Sequence, residues 1–201
     1  MLRVGLTGGL ACGKSFVGQA LAGYGCLLIE ADELGHEVLS RGGEAYEPVI
    51  QAFGGGIVGA DGQIDRRRLA ATVFGDVEAL KRLNALVHPV VVRREEQTIA
   101  AFGAREPHGI AVVEGAILIE TGSYKRFDRL ILVVCSPEQQ LERAMRRDGA
   151  VESDVRARLR NQMSLEEKRK FADFVIDTSH DKEDTLRQAR TVYEELRRIE
   201  V

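Results

Sequence analysis

Gly8-Gly9-Leu10-Ala11-Cys12-Gly13-Lys14-Ser15 fits G-x-x-x-x-G-K-[ST] at every fixed position, and the fold is read outward from it. A triphosphate is densely anionic. A chain that wraps it must turn successive backbone N–H groups inward, which calls for glycine's freedom in φ. The helix that follows adds its open N–H groups and the positive end of its dipole. Lys14 reaches the β- and γ-phosphates, and the Ser15 hydroxyl ligates magnesium. Gly8 to Ser15, with Phe16 next in the helix, are therefore the candidate nucleotide-binding residues, Lys14 the candidate charge at the transferred group and Ser15 the candidate metal ligand. Cys12 has two readings: an oxidisable thiol beside the positive end of a helix, or a small residue whose backbone carries the function.

The flanks suit the motif. Residues 3–7 read as a short strand. Residues 14–22 carry apolar side chains at Phe16, Val17, Ala20 and Leu21, which is helical spacing. Gly23 and Gly25 stop that helix, and residues 26–30 form a second strand. The stretch 32–105 differs, with helical patterns and no convincing strand. Helices are expected over 44–53, 67–74 and 77–87. Pro89 is expected to open a further helix to about residue 105, since proline suits a first helical position. Residues 54–65 hold five glycines and read as a loop. Apolar runs of buried-strand type return at 109–114 and 129–135. A helix is expected over 137–147, a last strand over 174–177 and an amphipathic helix over 181–199. Strands joined by crossover-length connections imply an α/β fold with a parallel sheet of five strands covered on both faces. The helical block 32–105 and a block at about 138–170 read as insertions on that core. From Arg143 to Lys170 there are nine Lys/Arg against five Asp/Glu, so the second block is basic.

Bulk properties exclude other classes. The chain has 201 residues, 44% of them apolar, and a net charge of −3, so nothing global points to nucleic acid. The three cysteines, Cys12, Cys26 and Cys135, are odd in number and nowhere spaced as C-x-x-C. That argues against a disulfide framework and a zinc site and suits a reducing compartment. The opening residues do not read as a signal peptide, and no window reaches the ~18–20 apolar residues of a membrane span. A cytoplasmic protein with no membrane or nucleic-acid partner is expected.

The surroundings of the loop narrow the chemistry. The guanine signature N-K-x-D is absent, and the strand at 109–114 ends in Glu114-Gly115 rather than in the adjacent acids of a motor ATPase. A small-molecule kinase fits better. Asp32 lies just past the second strand, at the edge where open α/β sheets bind ligands. It reads either as the acceptor of a hydroxyl proton or as a helix N-cap. Glu30 reads as a group behind the magnesium ligands or as a simple strand-end acid. Arg143 and Arg147 are four apart and share a helix face. They read as neutralisers of the transferred phosphoryl charge or, with Arg146, Glu142 and Asp148, as a solvated face.

Several pieces together resemble the dephospho-coenzyme A kinase family over nearly the whole length. They are Val4-Gly-Leu-Thr-Gly-Gly-Leu-Ala-Cys-Gly-Lys-Ser15; Glu30-Ala-Asp32 followed by His36-Glu-Val38; Leu83-Asn84-Ala-Leu-Val-His88-Pro89; and Glu114-Gly-Ala-Ile-Leu-Ile-Glu120 with Phe127-Asp128. Glu138-Gln139 with Arg143, Arg147-Asp148 and Gln162, then Ala172-Asp173-Phe-Val-Ile, complete the set. The resemblance implies ATP-dependent phosphorylation of the ribose 3′-hydroxyl of dephospho-coenzyme A. It implies a nucleotide-binding core of residues 1–31, 106–137 and 171–201, a helical acceptor-binding region at 32–105 and a lid at 138–170. It makes Asp32 the general base and an acceptor contact, Arg143 and Arg147 lid contacts to phosphate, and His88 part of the acceptor site, where a plain helix-terminal histidine competes. The chain departs from the family pattern at Glu30 for Asp, at Ala116 for Pro, and at Asp177-Thr178-Ser179 for an Asn-containing turn near the adenine. The competing readings are another small-metabolite kinase, of the shikimate- or gluconate-kinase type, and a nucleotide-binding regulatory module without acceptor.

Overall fold

The computed structural model describes residues 1–73, 75–160 and 162–199. Phe74, the expected end of one helix, lies outside them, as does the side chain of Asp148. Five strands form one sheet: β1 (Leu2–Gly8), β2 (Leu27–Glu30), β3 (Ile110–Glu114), β4 (Arg129–Val134) and β5 (Phe174–Asp177). The spatial order is β2-β3-β1-β4-β5, and all four pairings are parallel. From β1 the chain crosses to β2 on one side, and from β3 it passes over β1 to β4 on the other. The carboxyl end of β1 is thus the point where the winding reverses, and it is there that the phosphate loop begins.

The strands are nearly continuous apolar runs because both faces are covered. Every residue of β3 and all of β4 but Arg129 are buried. The even positions of β1, Leu2, Val4 and Leu6, pack with Ile110, Val112, Ile131, Val133 and Ile176 in one cluster. Over that face lie α1 (Lys14–Gly23), through Val17 and Leu21, and α9 (Lys182–Arg197), through Ala189, Val192 and Leu196. The odd positions face the other way. There a Cβ on Gly5 would come within 2.8 Å of both Leu130 and Phe127, so only glycine leaves room for that layer. Each large aliphatic side chain so buried contributes roughly 1.5–3 kcal/mol.

A 3-10 turn (Ser123–Arg126) leads into β4, and after β4 come α6 (Pro137–Asp148), α7 (Glu152–Arg160) and α8 (Leu165–Arg169). Ser136 caps α6 in a reciprocal box with Gln139, and Ser164 does the same for α8 with Glu167. All three belong to the same compact unit as the sheet, residues 1–30 and 101–201.

Residues 31–100 form the second compact unit. It contains α2 (Ala31–Leu39), α3 (Tyr46–Phe53), a 3-10 turn (Gly55–Ile57), α4 (Arg66–Val73) and most of α5 (Val77–Arg105). Its core is its own, built on Val38, Ala45, Val49, Ile57, Leu69, Val87 and Val91. One sequence expectation fails here. Pro89 opens no helix; it lies inside α5, which runs unbroken for 29 residues. An interior proline costs a helix about 3 kcal/mol through a lost N–H and a crowded carbonyl. The buried stripe Val87, Val91, Glu95 and Ile99, at spacing four, holds the two halves to one axis and offsets that cost.

Candidate active site

The phosphate loop is built by close approach and left-handed turns. A Cβ on Gly8 would sit 2.4 Å from the Val133 carbonyl oxygen, so the strand end admits no side chain. Ala11 (φ 55°) and Gly13 (φ 83°) are both left-handed. Such turns curl backbone N–H groups into a concave row suited to an anion. No side chain caps α1 at Gly13, which leaves the helix end to whatever the loop holds.

Lys14 and Ser15 follow in the first turn of α1. The Lys14 Nζ donates to the Gly9 carbonyl oxygen at 3.1 Å, bridging the loop. The exposed Ser15 hydroxyl donates to Glu114 Oε1 at 3.0 Å. Glu114 is 8% exposed, at the carboxyl end of β3. In the sheet register it lies between Leu6 of β1 and Glu30 of β2. A hydroxyl and a carboxylate are hard oxygen donors of the kind magnesium takes alongside phosphate oxygens, so these residues fit that ion. Glu114 escaped the sequence reading because one acid after an apolar run is a weak signal; the register and the bond to Ser15 single it out. Phe16 is half-buried, with the Lys182 ammonium 5.8 Å from its ring centroid.

Two polar links, from Thr178 and Gln162, tie the loop to neighbouring elements, and Arg143 braces the first of them. Thr178, just after β5, donates its hydroxyl to the Cys12 carbonyl at 2.9 Å. Arg143 of α6 donates to the Thr178 hydroxyl at 2.9 Å and to the Thr178 carbonyl at 2.8 Å. The Leu10 N–H donates to Gln162 Oε1 at 3.1 Å. Arg143 is thus engaged with the turn that follows β5, whereas Arg147 lies exposed in the last turn of α6. A second cation was hidden in the basic block. Lys168 of α8 is fully buried, 2.8 Å from Glu120 and 3.1 Å from the Ala116 carbonyl, which also accepts the Thr7 hydroxyl at 3.4 Å. It fixes the loop after β3 at Ala116.

The other candidates lie in the helical unit. Asp32 is exposed, one residue inside the first turn of α2, so it stands past the N-cap position, and the chain reaches it directly from β2. His88 is half-buried in α5, and burial pushes its imidazole below the usual histidine value.

Residues 2–184 match the family model described as dephospho-CoA kinase. A dephospho-CoA kinase of Aquifex aeolicus is 40% identical over 198 residues, covering 98% of this chain and 99% of the relative. One of Thermobifida fusca is 39% identical over 198 residues, covering 98% of each. A crystal structure from Thermus thermophilus superposes with a TM-score of 0.83 at 33% identity over 97% of both chains. A dephospho-CoA kinase from Campylobacter jejuni gives 0.63 at 26% identity over 96% of both. A shikimate kinase from Bacteroides thetaiotaomicron, 14% identical with a TM-score of 0.53, covers 97% of this chain and 98% of its own and shares the fold.

Proposed function

The chain belongs to the dephospho-CoA kinase family, and we propose that it transfers the γ-phosphoryl group of ATP to the ribose 3′-hydroxyl of dephospho-CoA, giving CoA and ADP. The observation that carries the reading is the complete phosphate loop with Ser15 bonded to a buried carboxylate at the adjoining strand end. Family membership supplies the acceptor.

Phosphoryl transfer passes through a loose transition state, so catalysis is positioning plus electrostatics. The loop N–H groups and the end of α1 hold the β- and γ-phosphates, and Lys14 adds its charge where negative charge builds. Magnesium, held by Ser15 with Glu114 behind it, would neutralise phosphate charge when bound. The attacking hydroxyl loses its proton to Asp32, at the carboxyl edge reached from β2. Arg143 steadies the loop through Thr178, and Arg147, on the lid formed by 138–170, adds charge at the phosphates. The helical unit, with His88, shapes the acceptor site. Three free thiols fit the reducing cytoplasm, and no helix among the described residues is long and apolar enough to cross a membrane.

The test is ADP production from magnesium-ATP with and without dephospho-CoA, followed by mass spectrometry of the product. The expected result is an acceptor-dependent rate and a product one phosphate heavier, carried on the ribose 3′-oxygen. ATP binding without stimulation overturns the acceptor and turns the search to small hydroxylated metabolites.

A further inference from the structure

Cys12 and Cys135 lie 123 residues apart in sequence, yet their sulfur atoms are 3.4 Å apart, with the Cys135 thiol donating to Cys12. Both are buried. Cys12 is inside the phosphate loop; Cys135 directly follows β4 and precedes the Ser136 cap of α6. We propose that this pair is an oxidation site: a peroxide converts Cys12 and Cys135 to a disulfide that distorts the phosphate loop and stops nucleotide binding, and a thiol reductant restores it.

Cys12 is the sulfur that reacts first. The Cys135 hydrogen bond holds its thiol below the ordinary cysteine value, and the Lys14 ammonium adds to this. The proton stays on Cys135, whose own thiol is held high by that same bond and by burial. Cys26 is the internal contrast: burial pushes it up to about 12, so it stays an inert thiol. In the first step the Cys12 thiolate attacks one peroxide oxygen. The O–O bond breaks, hydroxide leaves and takes a proton to become water, and Cys12 becomes a sulfenic acid. In the second step the Cys135 sulfur attacks Cys12 Sγ. The S–O bond breaks, the hydroxyl leaves as water with the Cys135 proton, and the S–S bond forms. Two thiols are oxidised and one peroxide is reduced to two waters.

The loop cannot absorb this without changing shape. A disulfide bond is about 2.05 Å long, so the sulfurs must close by more than 1 Å. Cys12 is pinned at its N–H, which donates to the Gly9 carbonyl, and at its own carbonyl, which accepts from Thr178. Left-handed Ala11 and Gly13 flank it, and its sulfur lies 2.9 Å from where a Gly9 Cβ would stand. Drawing Cys12 toward β4 therefore moves the N–H groups that cradle phosphate. Linkage makes the effect mutual: bound nucleotide, by holding the loop, opposes closure of the disulfide. Because both thiols are buried, peroxide gains access through local opening of the loop, which bound nucleotide also suppresses.

The reduced full-length protein is treated with hydrogen peroxide, with and without magnesium and a non-hydrolysable ATP analogue. Remaining thiols are alkylated, and the protein is analysed by intact mass and peptide mapping. The expected product has lost two hydrogen atoms and yields a Cys12–Cys135 cross-linked peptide. Nucleotide binding falls by about tenfold or more, returns with dithiothreitol, and the cross-link forms about tenfold more slowly when the analogue is bound. Cys135→Ala keeps its untreated activity, yields no cross-link and leaves Cys12 trapped by a sulfenic-acid reagent. The proposal is overturned if no cross-link forms, if Cys26 is the partner found, or if the cross-linked protein binds nucleotide as the reduced one does. None of these readouts uses the acceptor, so they stand apart from the fate of the dephospho-CoA reading.

Discussion

The phosphate-loop unit and the helical unit hold their polar groups in opposite ways. Around the loop the contacts are withdrawn from water: Thr178 is 5% exposed, Glu114 8%, and the Lys168 side chain 0%. In the helical unit the main charge cluster is Arg94, forked onto Glu44 at 3.0 and 2.6 Å and reaching Glu37 at 3.0 Å. There the side chains are 29%, 41% and 62% exposed. A buried donor or acceptor that loses its partner carries its full desolvation penalty, about 1–3 kcal/mol, whereas exposed ion pairs are screened by water and salt. The first region is thus pre-set to receive charge, and the second tolerates change. Substitutions in the two should differ sharply in what they disturb.

The largest effect is expected from Lys14→Ala, which should lower kcat by about 10³-fold by removing positive charge where the transition state needs it. Circular dichroism and the thermal midpoint should stay near those of the parent. A loss of ADP formation that merely follows unfolding would take Lys14 out of the transfer step. Asp32→Asn should lower kcat by about 10²-fold with ATP affinity unchanged. It is the one substitution in the helical unit expected to act on chemistry, and near-normal turnover would remove Asp32 as the base. Glu114→Gln should weaken magnesium dependence by roughly tenfold, as groups behind a metal ligand do. An unaltered magnesium titration would leave Glu114 a purely structural acid. Arg94→Ala, on the exposed network, should shift Tm by only a few degrees and leave kcat intact. A fall in kcat would show that the exposed network is coupled to transfer.

The smallest effect is a pH dependence. Burial pushes His88 below its ordinary value of 6.5, so the fold holds it neutral. Below that value the unfolded chain binds more protons than the folded one. This contribution is complete above about 6.5 and is lost as the pH falls through the folded-state value. His88→Gln should flatten the acid limb of a stability profile, and an unchanged limb would assign it to the carboxylates.

How much was legible depended on how local the cause is. Eight consecutive residues specify the phosphate loop, and the structure adds only its dihedral angles and partners. The five strands were readable because a sheet covered on both faces writes itself as apolar runs. Pro89 misled because the rule for proline is local, while the stripe from Val87 to Ile99 that overrides it is a property of packing. Lys168 sat in a block that read only as basic, and nothing nearby marks it as buried with Glu120. Glu114 gave a faint signal, an acid closing a strand, which gains meaning only beside Ser15.

By itself the sequence determined the nucleotide loop, the α/β class and the kinase family, because each is encoded in short patterns whose geometry follows from backbone freedom and strand or helix period. Tertiary structure alone decided which distant side chains meet: Ser15 with Glu114, Arg143 with Thr178, Lys168 with Glu120, and the sulfurs of Cys12 and Cys135. The physical reason is that strand order β2-β3-β1-β4-β5 brings together residues far apart along the chain. Their contacts are fixed by register and burial, which no local pattern records.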